Sequence, residues 1–368
     1  MARARERRPQ LAAAAAQVAG ARAALHTAGV IPNPVVSYSH TEDLPREHLT
    51  VEQPLDWLLR RGAEREAARA GLRRAEADSS VATARLLRDV RVGFYRARAA
   101  TVSRELVEAQ ARLADSVAGV TGARFQAGEI SALEREQAAQ EAARARQASS
   151  TAREDARLAE ADLGRALAWE GVPPLTTGAL DAGLDRLPDL TVDPHTLPTV
   201  RSAEADSASA EALVRSASKA WVPLPSITAG AEWGDPTNPG TLSVLGLAVP
   251  LPLWSRGGGS VAGAQARAAE TAALARESRL DAERAVEVAR IAIEETAARA
   301  RFARDTLLPG AAALRARALR AYQAGETDIL PAIDALRSER EASLAAVQDQ
   351  LAFQEALAEW LALSGRDE

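Results

Sequence analysis

The chain has 368 residues, of which 47% are hydrophobic and only 4% aromatic, with a net charge of -5 and no cysteine. Much of the apolar content is alanine, which buries little area but lets helices approach closely, so a thick globular core is excluded and long thin helical bundles are favoured. Without cysteine there are no disulfides, thiolate metal sites or cysteine nucleophiles; the charges are interspersed, and Lys219 is the only lysine, so nothing advertises a nucleic-acid surface.

The first thirty residues place basic side chains before an alanine run. Gln17 and Arg22 interrupt that run, and the pattern predicts a helix over about 4 to 30, not a signal peptide. No window of about twenty uncharged apolar residues occurs anywhere, which excludes a transmembrane helix. The prolines at 32 and 34 end the first helix. Two extended segments follow, Val35 to His40 and His48 to Leu55, joined by the polar loop TEDLPRE. These strands look short for a membrane span, so they are expected to extend into that loop.

From about Trp57 to Gly122 the sequence predicts one helix, on the order of 100 Å long at about 1.5 Å per residue. Val102, Leu106, Ala109, Leu113, Val117 and Val120 recur at spacings of three and four and predict a coiled-coil seam. FQAGEISAL (Phe125 to Leu133) ends that helix. Gly128 sits where a helix terminus favours a left-handed residue, and Ser131 can cap the next helix, expected to run to about Trp169. The proline-rich stretch over 173 to 195 reads as an irregular linker.

A second helix is predicted over 196 to 220, then strands over Ser226 to Trp233 and Thr241 to Val249 joined by GDPTNPG. In the first of these Ile227, Ala229, Ala231 and Trp233 alternate with Ser226, Thr228, Gly230 and Glu232, giving one apolar face. Another long helix is predicted from about 260 to 325. YQAGETDIL (Tyr322 to Leu330) ends it, with Thr327 as a possible cap, and a returning helix runs to Ser364 with Leu344, Val347, Leu351, Ala358 and Leu361 on its buried side.

The repeated phrase is an anchor: Gly128 and Gly325 stand 325 - 128 = 197 positions apart, and so do Leu133 and Leu330. VEQPLDW matches AVPLPLW with Pro54 and Pro250 offset by 196, and PNPVVSYSH matches PLPSITAGAEW with Pro34 and Pro225 offset by 191. Three anchors in one order imply an internal duplication. The expected domains are a first repeat over 1-172, with its β-hairpin at about 35-55 and helical hairpin at about 57-170. A linker over 173-195 and a second repeat over 196-368 follow, the latter with elements at about 226-249 and 260-364. Four strands cannot close a barrel and their edges are a liability, so the chain is expected to form a homotrimer with twelve strands.

These residues resemble the TolC-like outer-membrane efflux factors, and among them the branch serving cobalt-zinc-cadmium-type heavy-metal pumps. PNP at 32 to 34, QPL at 53 to 55, RFQAGEIS at 124 to 131, VPLPLWSRGGG at 249 to 259 and LLP at 307 to 309 carry the likeness over essentially the whole chain. The resemblance implies a mainly α protomer with a small β part, whose trimer forms a 12-stranded outer-membrane barrel on a periplasmic α-helical tube. The linker then lies at the equator of that tube. It implies a passive duct for substrate, divalent heavy-metal ions above all, with a periplasmic adaptor, an inner-membrane resistance-nodulation-division type pump and outer-membrane lipid as partners.

The same likeness puts both phrases at the periplasmic tip. Phe125, Gln126, Ala127, Gly128, Leu133, Tyr322, Gln323, Ala324, Gly325 and Leu330 then meet the adaptor. Family members carry an export signal, often with a lipidated cysteine; none is written here, which is expected of a mis-started or mature-region sequence. Members with a constricted tip have two acids one turn apart, and here the later one is Asp334 while Pro331 occupies the earlier position.

Glu129, Glu326, Asp328 and Asp334 place carboxylates near the two phrases. Repeated by threefold symmetry they form rings that favour cations; acids in a first turn also complement the helix dipole without any further role. His40 and His48, flanking Glu42 and Asp43, are conceivable metal ligands but are read as ordinary polar residues at the rim of the hairpin. GGGS at 257 to 260 lacks the Gly-Lys-Ser/Thr ending of a phosphate loop. No nucleophile, base and orienting group assemble, so neither an enzyme nor a cofactor is expected. A periplasmic adaptor would carry one helical hairpin instead of two, and a soluble coiled-coil scaffold leaves the proline-bounded strand pairs unexplained.

Overall fold

The computed structural model describes residues 6-55, 57-171, 178-219, 225-251 and 257-366. Pro223, Trp254 and part of the linker, all used above as landmarks, lie outside the described residues. The order of elements is α1 (Pro9–Thr27), β1 (Val35–His40), β2 (Glu47–Pro54), α2 (Trp57–Gln126), α3 (Ala132–Leu167), α4 (Pro198–Ala217), β3 (Ser226–Trp233) and β4 (Leu242–Ala248). Then come α5 (Gly258–Phe302), a π-helical turn (Ala303–Leu307), α6 (Leu308–Gln323) and α7 (Leu330–Ser364). The fold is mainly α with one small sheet, and two compact units form from discontinuous stretches.

One unit comprises residues 12-82 and 195-282 and holds the sheet. Its four strands are antiparallel in the order β1-β2-β3-β4, so the central pairing joins the hairpins of the two repeats. The register places Tyr38 opposite Leu49, Glu47 opposite Trp233 and Ala229 opposite Leu245. Because side chains alternate, one face collects Val36, Tyr38, Leu49, Val51, Ile227, Ala229, Ala231, Trp233, Leu245 and Leu247, with Gln53 and Ser243 among them and the His40–Glu47 pair at its loop end. The other face carries Ser37, Ser39, His48, Thr50, Glu52, Thr228 and Glu232, with Val35, Leu242 and Val244 as its large apolar side chains. Only β3 shows this alternation plainly in sequence; the register extends it across the sheet. At Gly230 an added Cβ would lie 2.6 Å from the carbonyl oxygen of Leu49, so the β2-β3 approach requires glycine there. The first hairpin lengthens into its loop by one residue only: β2 starts at Glu47, opposite His40, and Thr41 N–H donates to the Arg46 carbonyl at 2.8 Å, closing an irregular turn beyond that pair.

In the same unit α2 meets α4 through the small side chains of Ala67, Ala70 and Ala212. Alanine brings the backbones close, and the flanking charges pair across the contact: Arg215 with Glu66 at 2.8 Å and Arg74 with Asp206 at 3.1 Å.

The other unit comprises residues 1-11, 83-194 and 283-368. Here α2 packs on α3 through Ala111, Ala114, Ala142 and Ala145. The expected seam is therefore displaced. Ala109 and Val120 are exposed, whereas Ala97, Thr101, Val107, Ala111, Ala114 and Thr121 are buried. Val102 and Leu106 face a second contact with Val347 and Leu351 of α7. Phe353 and Trp360 of α7 are fully buried with Leu184, Ile293, Ala297 and Ala300, and they form an aromatic core in this unit. Leu184 belongs to the linker, which is held by donors from α5, from α7 and from just beyond α7: Arg301 to Leu184, Gln354 to the Leu180 and Ala182 carbonyls, and Arg366 to Asp189 and Thr191.

The second long helix is interrupted where one continuous helix was expected. Pro309 has no N–H to offer the carbonyl four residues back, and the chain widens just before it into the turn at Ala303–Leu307, whose closing bond runs from Leu308 N–H to Ala303 O.

Candidate functional site

Both aromatic-Gln-Ala-Gly phrases form helix-to-helix turns with the same termination. Gly128 N–H donates to Phe125 O and Glu129 N–H to Arg124 O, both at 2.9 Å; Gly325 N–H donates to Tyr322 O at 3.1 Å and Glu326 N–H to Ala321 O at 2.9 Å. This is the Schellman pattern, which requires a left-handed residue, and Gly128 and Gly325 take φ of 76° and 75°.

The helices restart differently. Ser131 caps α3: its hydroxyl accepts from Glu134 N–H at 3.2 Å while the Glu134 carboxylate accepts from Ser131 N–H, a full capping box. Thr327 does not cap α7; Ile329 stands at that position, fully buried, without a side-chain cap. Asp328 Oδ1 instead accepts weakly from Leu330 N–H at 3.3 Å.

Around the second turn Tyr322, Ile329, Ala332 and Ile333 form a cluster with Leu319 of α6 and Val117 of α2. Arg124, from the first turn, lies over the Tyr322 ring at 5.2 Å from its centroid and donates to Glu129 Oε2 at 3.1 Å. Its guanidinium thus ties the two turns to each other, and the Glu129 hydrogen bond holds it more firmly protonated than usual. Arg135 covers Phe125 in the same manner at 4.6 Å.

Of the residues singled out by sequence, Gln126, Ala127, Gly128, Gln323, Ala324 and Gly325 are exposed, as are Leu133 and Leu330. Phe125 is half-buried and Tyr322 is 4% exposed, so Tyr322 supports the turn from inside. The four acids are all exposed but differently engaged. Glu129 pairs with Arg124, Asp328 sits at the α7 terminus, Glu326 contributes its backbone to the turn, and Asp334 lies 3.7 Å from Arg337.

Arg337 also donates twice to Glu141 Oε2, at 2.9 and 2.6 Å, and Arg340 stands 3.6 Å from the other oxygen. Glu141 is 5% exposed, so this carboxylate of the first hairpin is buried against two arginines of the second. Neither this cluster nor Arg124 and Arg135 stands out in the sequence. Arginine and glutamate recur on every helix, and no spacing marks which pair across repeats.

The two histidines of the first hairpin do not converge. His40 pairs with Glu47 at 2.8 Å on one face of the sheet and His48 with Glu232 at 3.1 Å on the other. Among the described residues no group of three or more His, Cys, Asp or Glu side chains is placed to hold a metal, and no helix is long and apolar enough to cross a membrane. Ser260 Oγ donates to Gly257 O at 2.7 Å, so GGGS opens α5 as a turn.

A family model described as outer membrane efflux protein matches residues 1–168 and 196–366. No curated protein matches the chain. Among solved structures, the outer membrane protein VceC of Vibrio cholerae is 20% identical with a TM-score of 0.79, over 100% of this chain and 95% of that one. The open-state MtrE outer membrane channel of Neisseria gonorrhoeae is 18% identical with a TM-score of 0.82, over 99% and 88%. CusC is 18% identical with a TM-score of 0.75, over 99% and 90%. At these identities the likeness establishes a shared fold.

Proposed function

This chain belongs to the outer membrane efflux protein family, and from that premise we propose that three copies form the exit duct of a tripartite efflux system. The duct conducts passively. It makes no covalent change in its cargo, and an inner-membrane pump supplies the energy.

The observation that carries this reading is the apolar face of the sheet. Val36, Tyr38, Leu49, Val51, Ile227, Leu245 and Leu247 all lie on it and all are solvent-exposed, Leu245 to 83%. Nothing in the chain covers them among the described residues, and a contiguous exposed apolar surface marks an interaction site. Lipid is the fitting cover, because the opposite face carries Ser37, Ser39, His48, Thr50, Glu52, Thr228 and Glu232 with only Val35, Leu242 and Val244 as large apolar side chains, and it faces a lumen once the sheet closes. Closure needs partners for the β1 and β4 edges, and three four-stranded sheets supply an even, antiparallel twelve-stranded barrel. A scaffold or a periplasmic adaptor leaves this face without a use.

The chain, expressed with an export signal, is expected in the outer-membrane fraction as a trimer that survives mild detergent. A soluble species that forms no trimer in detergent overturns the reading.

The two turns are the adaptor-docking end of the duct, with Gln126, Ala127, Leu133, Gln323, Ala324 and Leu330 as the accessible surface and Tyr322 as its support. Glu129, Glu326, Asp328 and Asp334, repeated three times, give that end a cation-favouring field. Divalent heavy-metal ions are the proposed cargo, supported by the sequence resemblance to metal-pump ducts and by these acids. In cells with the partner pump and adaptor but no duct, this chain is expected to restore export of cadmium, zinc or cobalt. Restored export of organic compounds alone rejects the metal assignment and leaves the duct standing.

A further inference from the structure

Between α1 and α2, at the end of the sheet where β1 begins and β2 ends, lies a groove of about 390 Å³ lined by Arg22, Leu25, His26, Val30, Arg61 and Arg65. Two stripes run side by side away from the strands. On α2 the exposed Leu58 is followed at helical spacing by Arg61 and Arg65; beside α1 the exposed Val30 is followed, moving back along the helix, by His26 and Arg22. Each stripe is apolar next to the sheet and cationic beyond it. Ile31, Leu59, Val249 and Leu251 are also exposed at this end and widen the apolar part into a collar.

The cations are available. Arg61 donates to the Gly29 carbonyl, which aims its head into the groove. Arg22, Arg65 and His26 have no side-chain partner among the described residues, Glu66 is engaged by Arg215, and Glu64 does not line the groove. An apolar collar continuous with the apolar sheet face, then three guanidinium groups, matches the order of acyl chain and phosphate at a leaflet surface.

We propose that this groove binds the phosphate headgroup of an anionic glycerophospholipid on the helix-bearing side of the membrane. The proposal rests on the reading of the sheet as a membrane barrel. Arg61 positions the phosphate while Arg22 and Arg65 supply the charge, and the lipid's chains lie against Val30, Leu58 and Leu59.

The test uses the full chain reconstituted into nanodiscs of phosphatidylcholine with a minority of phosphatidylglycerol, with retained lipid counted by native mass spectrometry. The chain is expected to enrich phosphatidylglycerol. Arg22→Gln with Arg65→Gln should lower that enrichment about 30-fold, from roughly fivefold per charge near a membrane surface. Arg22→Lys with Arg65→Lys, which keeps both charges, should retain it, and so should Arg317→Gln in the other unit. Equal retention of the two lipids by the unaltered chain, or an unchanged double glutamine variant, overturns the proposal. Displacement of the lipid by excess inorganic phosphate also overturns it, since the groove is then a free-anion site. A chain that does not enter nanodiscs overturns the membrane reading itself, which separates that failure from loss of lipid preference alone.

Discussion

The two helix-to-helix turns share a phrase and a termination but begin their next helices by opposite means. The first relies on local polar chemistry, the Ser131–Glu134 capping box, and its aromatic, Phe125, is only half-buried. The second has no side-chain cap and instead buries Tyr322 and Ile329 against α2 and α6. A duplicated sequence therefore does not give two equivalent turns. The first is autonomous, and the second is held by its neighbours, including the Arg124 of the first.

Truncating the buried groups should separate them most. Tyr322→Ala removes a ring that is 4% exposed and should destabilise the α7 terminus by about 3 kcal/mol; Ile329→Ala should cost about 2 to 4 kcal/mol. Phe125→Ala, at a half-buried site, should cost about 1 kcal/mol. Hydrogen exchange at the starts of α3 and α7 reads the difference. Equal loss of protection at both turns rejects the asymmetry.

The shared part should respond equally. Gly128→Val and Gly325→Val each force a β-branched residue into the left-handed region, at about 1 to 2 kcal/mol or more. Neither glycine has a neighbour within 4 Å of an added Cβ, so the cost is backbone strain alone. Thermal unfolding of the two variants should agree, and adaptor cross-linking should fall in both if the turns dock it. Unchanged efflux and cross-linking count against that assignment.

Capping should then act on one side only. Ser131→Ala removes the hydroxyl that accepts from Glu134 N–H and should cost about 1 kcal/mol, whereas Thr327→Ala, at a residue that does not cap α7, should stay within about 0.5 kcal/mol. Fraying of the α3 terminus by hydrogen exchange measures it.

These differences bound what the sequence discloses. Glycines, prolines and the strand alternation around Ile227 act locally, so the turns and the sheet could be placed from spacing. The seam could not. Val102 and Leu106 stand at seam spacing, but α2 meets α3 through Ala111 and Ala114, and Val102 and Leu106 fill a second contact with α7. Thr327 stands in the phrase that repeats the first turn and so reads as a cap, whereas the structure puts the buried Ile329 at that position with no side-chain cap. Glu141 with Arg337, 196 residues apart, has no local signature at all.

The smallest effect concerns acid, and it extends the contrast from the turns to the helices behind them. The first hairpin's alanine seam is flanked by exposed ion pairs, among them Arg153 Nε donating to Glu108 Oε1 at 2.6 Å, while the second hairpin closes on Phe353 and Trp360. That hydrogen bond holds the Glu108 carboxyl below the usual glutamate range. A depressed folded value means its contribution is fully present above the unfolded value and is lost as pH falls through the folded one. Acidification from neutral pH through the carboxylate range should therefore loosen α2 against α3 before it affects α5 against α7. The shift should be small, because the pair is exposed and screened. Hydrogen exchange of the two hairpins across that range, with Glu108→Gln as the form lacking this titration, decides it. If the second hairpin opens first, or if Glu108→Gln leaves the first hairpin's acid response unchanged, the alanine seam does not depend on this ion pair.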